Sequence, residues 1–375
     1  MKVNFDPEKT YAIALGGGGA KGSYEIGVWR ALAEEGLKYN AVSGTSVGAL
    51  NGALMAMHDL ENGIELWSNI RFSRVMNVND DIMGRLYKGQ TSRGELYSIL
   101  KSSWRLVKNG GFDVTPLREL LKEYIDPQAI AESDVDFTAV TYSITDKREV
   151  VVDFRQTPPD EICDMLLASA YFPAFKNVPL QGGKRYTDGG VTDALPVTPL
   201  LERGYKDIIA VRLKGGIGRE KRIEPKEGVS VSYIEPKRAL GGTLNFTAEQ
   251  AKRNINLGYY DAKRFVYGYE GEYYYLVRTM DERRAYDELV RFMGAKDVTL
   301  RELHERVLPE LAQKNGASGD YYDVLIHWLE HTGEALGIPE FRIMRDQDLV
   351  GEVRETLKVR GIESAVSAGF LSNDR

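Results

Sequence analysis

The sequence is poor in the residues that staple, ligate or anchor. One cysteine, Cys163, stands in 375 residues, so no intrachain disulfide can form and a reducing compartment fits. Histidine occurs four times, as His58, His304, His327 and His331, and neither C-x-x-C nor H-E-x-x-H spacing is present. No metal and no other cofactor is therefore expected. Long apolar runs are missing too, and without about 18 such residues in a row no helix spans a bilayer. The opening MKVNFDPEKT is polar and has no apolar h-region, so no secretory leader is expected. The expected location is cytoplasmic, with peripheral contact to a membrane left open. Positive charge is not in excess: the net charge of -6 argues against nucleic acid as a partner. Internal repeats and low-complexity segments are not found.

What is present is an apolar fraction of 43%, enough for a real core, in a length that suits one large domain or two smaller ones. Tyr11 to Leu15 reads as a buried strand. Gly16 to Gly22 follows, and Ser23 is placed to cap a helix from Tyr24 to Glu35 that Gly36 ends. A second strand near Asn40 to Ser43 runs into Gly44-Thr45-Ser46-Val47-Gly48 and then an apolar helix to Met57. Two strand–glycine turn–helix units in succession predict a parallel α/β sheet with right-handed crossovers. Leu60 to Ile125 is mostly helical. Its aromatics (Trp67, Phe72, Tyr87, Tyr97, Trp104) alternate with Arg71, Arg74, Arg85, Lys88, Arg93, Lys101, Arg105 and Lys108. It reads either as a helical layer with a solvated basic face or as a cationic cover over a site. Strands are expected at Asp136 to Ile144 and Glu149 to Phe154 as a hairpin, and again at Asp207 to Leu213 and Val229 to Ile234. A helix is expected at Ala248 to Val266 and an edge strand at Tyr273 to Arg278. Beyond Asp281 the pattern is amphipathic helix to Leu371.

Three short motifs carry chemistry. The pentapeptide Gly44 to Gly48 has the form of a nucleophile elbow, with Ser46 at a sharp turn behind which a helix points its free N–H groups. A plain N-cap serine fits the same residues. Gly17, Gly18 and Gly19 can converge backbone N–H groups on an anion, with Lys21 supporting the loop and Gly22 closing it. Gly17, Gly19 and Gly22 also spell G-x-G-x-x-G, which fits a dinucleotide site, but no acidic residue ends the second strand where a ribose would need one. The third motif, Asp188-Gly189-Gly190, is a turn whose carboxylate could serve as base. Of the histidines, His304, His327 and His331 leave a Ser–Asp–His order formally open, whereas His58 lies about three turns beyond Ser46.

In this order, G-G-G-x-K-G, G-x-S-x-G and D-G-G, the sequence resembles the patatin-like phospholipase family over roughly Tyr11 to Leu213. The resemblance implies a three-layer α/β/α fold with a mostly parallel sheet, here with a mainly helical C-terminal region. It implies a Ser46–Asp188 dyad, an oxyanion loop at Gly17, Gly18 and Gly19, and no cofactor. Ala194 departs from the family pattern, which often has asparagine there, so a hydrogen bond that positions the Asp188 loop is in question. The expected divisions are a catalytic domain at 1–214, its continuation at 215–280 and a helical region at 281–375. The expected activity is hydrolysis of fatty-acyl esters of phospholipids or lysophospholipids. Acyl transfer by the same dyad, a non-catalytic lipid-binding or regulatory protein, and an NAD-binding dehydrogenase are the alternatives. A homodimer is compatible with the sequence.

Overall fold

The computed structural model describes residues 4–90, 111–215, 218–224, 227–293 and 299–362. Arg93, Tyr97, Lys101, Trp104, Arg105 and Lys108 lie outside the described residues, as does the expected helix beyond residue 362. The chain divides into two compact units, Lys2–Val266 and Tyr267–Arg375.

The first unit is built on a mostly parallel sheet of seven strands flanked by helices. Its strands are β1 (Thr10–Leu15), β2 (Lys38–Thr45), β3 (Asp136–Ser143), β4 (Arg148–Asp153), β5 (Tyr186–Asp188), β6 (Asp207–Val211) and β7 (Ser230–Ile234). They lie in the order β4-β3-β2-β1-β6-β7, and β5 pairs with β3. The central strands β1, β2 and β6 are parallel to their neighbours and buried on both faces, hence their continuous apolar runs. β4 and β7 carry more exposed residues because each is an edge.

Successive residues of a strand face opposite sides of the sheet. On one side Ala12, Ala14, Ala41 and Ala210 pack with Leu195, Val197 and Leu200. On the other, Val42 and Phe137 lie against the helix α2 (Val47–Ala56), where Gly52 leaves them room. The helix after the glycine loop, α1 (Ser23–Glu34), begins one residue earlier than the capping pattern predicts. Ser23 caps no N–H group; its hydroxyl donates to the Ala20 carbonyl at 3.1 Å. Residues beyond 214 also belong to this unit. β7 pairs with β6, and Asp261 of the helix Ala248–Tyr267 accepts from the Tyr24 hydroxyl of α1 at 3.0 Å.

The second unit is mainly helical, with a core that includes Leu289, Leu325, Trp328, Leu329 and Leu349. The expected strand near Tyr273 is present as Tyr275–Val277, but its partner, Ile343–Arg345, was not expected. Three residues are too few for a period to register in a sequence. Two buried carboxylates hold turns in this unit. Glu330 accepts N–H bonds from Glu272, Tyr273 and Tyr274, and Asp346 accepts from Thr279 and Met280.

Candidate active site

Strand register brings Ser46 and Asp188 together. β2 pairs with β3 up to Thr45 opposite Val140, where β2 ends. β5 then takes over the same side of β3, running the other way, with Asp188 opposite Thr141. The two strands therefore meet end to end beside adjacent rungs of β3, and the residue after Thr45 faces Asp188. The Ser46 hydroxyl donates to Asp188 Oδ2 at 2.5 Å. Residues that stand 142 apart in the chain thus form one pair.

Ser46 is not an ordinary N-cap: its hydroxyl caps no backbone N–H of α2. Its backbone has φ 57° and ψ -125°, a left-handed conformation that costs a non-glycine residue about 1–3 kcal/mol. The strain is held by packing on both sides. A Cβ on Gly44 would lie 2.3 Å from the Gly48 carbonyl oxygen, and one on Gly48 would lie 2.4 Å from that of Leu15. The flanking glycines therefore serve the close approach of β1, β2 and α2, and the tight turn itself falls on Ser46. The Ser46 N–H is fixed by Ser169 Oγ at 2.9 Å, and that hydroxyl donates in turn to the Val140 carbonyl at 2.7 Å. Ser169 opens a segment, Ser169 to Phe175, that resembles the patatin-like family, but nothing in the sequence marks its hydroxyl as the group that fixes this N–H.

The glycine loop lies directly beside this turn. The space a Cβ would occupy on Gly17 is 3.4 Å from Ser46 Cβ. The Gly17 N–H is already used: it donates to the Ala194 carbonyl at 2.8 Å. Among the described residues the N–H groups of Gly18 and Gly19 have no protein acceptor. Gly19 has φ +58°, and a Cβ there would come within 2.3 Å of the Thr243 carbonyl oxygen, which accepts the Ala20 N–H at 2.8 Å. Thr243 thus props the loop from a segment that carries no motif. Gly22 gives way to Val47, whose Cγ2 would lie 2.3 Å from a Cβ. Lys21 is buried and does not face Ser46. Its ammonium donates to the carbonyls of Lys214 and Gly215 at 2.9 and 2.7 Å, and burial lowers its pKa.

Asp188 is 9% exposed. Burial raises its pKa to about 6, against the Ser46 hydroxyl and the Gly190 N–H, which both favour the ionised form. The Gly190 N–H donates to Asp188 Oδ1 at 2.8 Å, so each carboxylate oxygen has one donor. Gly189 abuts β3; a Cβ would lie 2.1 Å from the Val140 carbonyl oxygen. The histidines go elsewhere. His58 meets Tyr39 and Asp134, His304 stacks on Tyr286, and His327 lies against the Asp323 carbonyl. Among the described residues no histidine hydrogen-bonds to Ser46 or Asp188.

Ser46 and Asp188 open onto a cleft of about 1270 Å³, its open mouth included. Leu54, Trp67, Met76, Leu121, Phe175 and Phe246 are among its walls. Apart from Asp188, no charged side chain among the described residues lines it. The stretch from Leu60 to Ile125 supplies much of this apolar wall. Its described basic residues point away: Arg71, Arg85 and Lys88 are exposed, and Arg74 pairs with Glu123 at 2.8 Å. For these four residues the solvated basic face fits, while Arg93, Lys101, Arg105 and Lys108 lie outside the described residues. Among the described residues no helix is long and apolar enough to cross a membrane.

Residues 13–201 match the family described as patatin-like phospholipase. An NTE family protein of Mycobacterium tuberculosis (strain H37Rv) is 24% identical over 226 residues, which is 60% of this chain and 55% of that protein. A protein named lysophospholipase NTE1 from Saccharomyces cerevisiae is 28% identical over 207 residues, 53% of this chain and 10% of its own length. The chain therefore spans about half of the mycobacterial relative and about a tenth of the yeast one. Among solved structures, VipD from Legionella pneumophila aligns with a TM-score of 0.45 at 16% identity, covering 100% of this chain and 82% of that one. The type III effector protein ExoU aligns with a TM-score of 0.36 at 16% identity, covering 98% and 78%. On the match across residues 13–201, half the chain, this protein belongs to the patatin-like phospholipase family.

Proposed function

We propose that the chain is a serine acyl hydrolase of phospholipase A or lysophospholipase type, working through a Ser46–Asp188 dyad. The observation that carries this is the 2.5 Å contact from Ser46 Oγ to Asp188 Oδ2 at the edge of an apolar cleft. A fatty-acyl chain suits the cleft, since its burial there removes apolar surface from water. Asp188 takes the hydroxyl proton as Ser46 Oγ attacks the ester carbonyl. The tetrahedral oxyanion is held by the N–H groups of Gly18 and Gly19, which are still free to donate. Collapse releases the alcohol, which receives the proton from Asp188, and leaves an acyl-Ser46. Water then gives a proton to Asp188 and attacks the acyl-enzyme, and as the acyl–Oγ bond breaks Asp188 returns that proton to Ser46 Oγ, freeing the fatty acid. Gly17 supports this loop through Ala194 rather than donating to the oxyanion. Lys21, tied to the carbonyls of Lys214 and Gly215, acts on the loop's position and not on the ester.

The reading fixes a pH profile. A base must be ionised, so the rate is present above the Asp188 pKa and lost below it. With that pKa raised to about 6, kcat/KM on lysophospholipid is expected to rise tenfold per pH unit below 6 and to level off above about 7. A profile flat down to pH 4.5 would remove Asp188 as the base. A fluorophosphonate probe should label Ser46, and peptide mapping of the adduct checks it.

The glycine loop gives a second expectation. Gly19→Ala places a Cβ against the Thr243 carbonyl at a positive φ, so the loop must shift. Loss of one oxyanion donor costs about 10²- to 10³-fold in kcat. That fall, with KM changed far less, is the expected result. A Gly19→Ala enzyme with kcat within threefold of wild type would assign the oxyanion to other donors.

A further inference from the structure

The loop from Asp188 to Ala194 joins every part of the site by its backbone. The Thr45 hydroxyl donates to the Asp193 carbonyl at 2.8 Å, one residue before Ser46. Ala194 accepts the Gly17 N–H at 2.8 Å. A short strap, residues 218–221, runs along the outside of this loop. Arg219 N–H donates to the Gly190 carbonyl at 2.9 Å, and Ala194 N–H donates to the Arg219 carbonyl at 2.6 Å. The strap fits closely: a Cβ on Gly218 would lie 2.5 Å from the Gly190 carbonyl oxygen.

What fastens the strap is a charge pair. The Asp193 side chain is fully buried, and among the described residues neither carboxylate oxygen has a well-formed hydrogen bond; burial raises its pKa to about 6, against the nearby Lys221 ammonium and the Leu195 N–H. A buried carboxylate in that state is costly unless a countercharge stands close. Lys221 brings one from the surface, its ammonium 3.5 Å from Asp193 Oδ2 and 2.7 Å from Glu149 Oε1 of β4. Lys21 grips the carbonyls of Lys214 and Gly215 just before the strap.

We propose that Lys221 is a positioning residue: by compensating the buried Asp193 carboxylate it locks the 188–194 loop, and so sets Asp188 against Ser46 and Gly17 in the glycine loop. The inference rests on the reading of Ser46 and Asp188 as the dyad. Above the Asp193 pKa, Lys221→Met leaves a buried charge without its cation; the carboxyl takes up a proton or the loop moves, and either way the ion-pair tie on the loop is lost.

The test compares Lys221→Met, Lys221→Arg, Asp193→Asn and the double variant Lys221→Met/Asp193→Asn on lysophosphatidylcholine, with amide hydrogen exchange on the same samples. Misplacement of a catalytic group by about 1 Å costs on the order of 10²-fold. Lys221→Met should therefore lower kcat by about 10- to 100-fold with KM within about threefold, and Lys221→Arg should keep most of the rate. The double variant, which removes the charge along with its partner, should recover to within about threefold of Asp193→Asn. Exchange at Gly17 and Ala194 should quicken in Lys221→Met and slow again in the double variant. Lys221→Met with unchanged kcat and exchange overturns the proposal. So does an equal loss in the single and double variants, which a merely structural lysine would give. Wild-type enzyme that neither hydrolyses the lipid nor takes a fluorophosphonate on Ser46 would overturn the dyad instead, while exchange still decides whether Lys221 locks the loop.

Discussion

Ser46→Ala is expected to abolish hydrolysis, with kcat/KM on lysophospholipid falling by about 10⁴-fold or more. The reason is local. Among the described residues no other hydroxyl donates to Asp188 Oδ2, and the acyl-enzyme cannot form without a nucleophile there. The fold should persist, because what holds the turn is backbone: Ser46 N–H to Ser169 Oγ, and the close approach of Gly44 to Gly48. Alanine keeps that N–H and bears the same strain at φ 57°. One change in stability has a defined sign. Asp188 loses the donor that favours its charge, so its pKa moves further above 6 and the folded state weakens at high pH. The expected result is therefore an inactive protein with a near-normal Tm at pH 5.5 and a lower one at pH 8. The check is a lipid product assay beside a melting series. A purified Ser46→Ala protein that kept wild-type activity on phospholipid vesicles would place the chemistry elsewhere.

The parts of the site that were legible in the sequence are those that lie where a strand ends and a turn begins. Ser46 follows a short apolar run and Asp188 a strand-like segment, and both sit beside glycines, so their turns could be seen without a fold. Their meeting could be expected only from the order of the three motifs, as the register on β3 that joins them leaves no local mark. The same glycines were legible for a partly different reason. The sequence suggests that Gly44 and Gly48 allow a tight turn, whereas the structure uses them for close packing and puts the positive φ on Ser46.

What was not legible is the support. Ser169 lies 123 residues from the N–H it fixes, and Lys21 lies 194 residues from the Gly215 carbonyl it holds. A contact of that span has no period and no spacing to read. The G-x-G-x-x-G at Gly17, Gly19 and Gly22 shows the cost of this. Its alternative use, to cradle a dinucleotide, differs from an oxyanion loop mainly in what surrounds it. Thr243 fills the side of Gly19, Ala194 takes the Gly17 N–H and Ser46 stands 3.4 Å from the Cβ position of Gly17. None of these neighbours is adjacent in sequence. Likewise the strap that bonds to the backbone of Gly190 and Ala194 comes from a charged, glycine-rich loop with no motif.

Asp188→Asn should show activity and stability moving in opposite directions. An asparagine can keep its oxygen on the Gly190 N–H, in place of Oδ1 at 2.8 Å. Its amide nitrogen then stands where Oδ2 was and donates toward Ser46, so the serine proton has no acceptor. No second base is expected to take over, and kcat should fall by about 10³- to 10⁴-fold. The stability effect follows from the raised pKa. A carboxyl whose folded pKa lies above its unfolded value of 3.8 stabilises the fold in its protonated form, and that contribution is lost as pH rises through about 6. At pH 8 the wild type therefore carries a buried charge that the amide does not. Each pKa unit is worth about 1.4 kcal/mol, so the gain at pH 8 is on the order of 1–3 kcal/mol, less what the weaker neutral hydrogen bonds give back. The gap should open as pH rises from about 4 to about 6, so at pH 4 wild type and variant should melt nearly alike. Melting curves at the two pH values, with the lipid assay, separate this from a general loss of structure: a damaged fold lowers Tm at both. A variant equally slow but less stable at pH 8 would mean that Asp188 holds the turn through its charge, and that its ionised form is the one the folded site prefers.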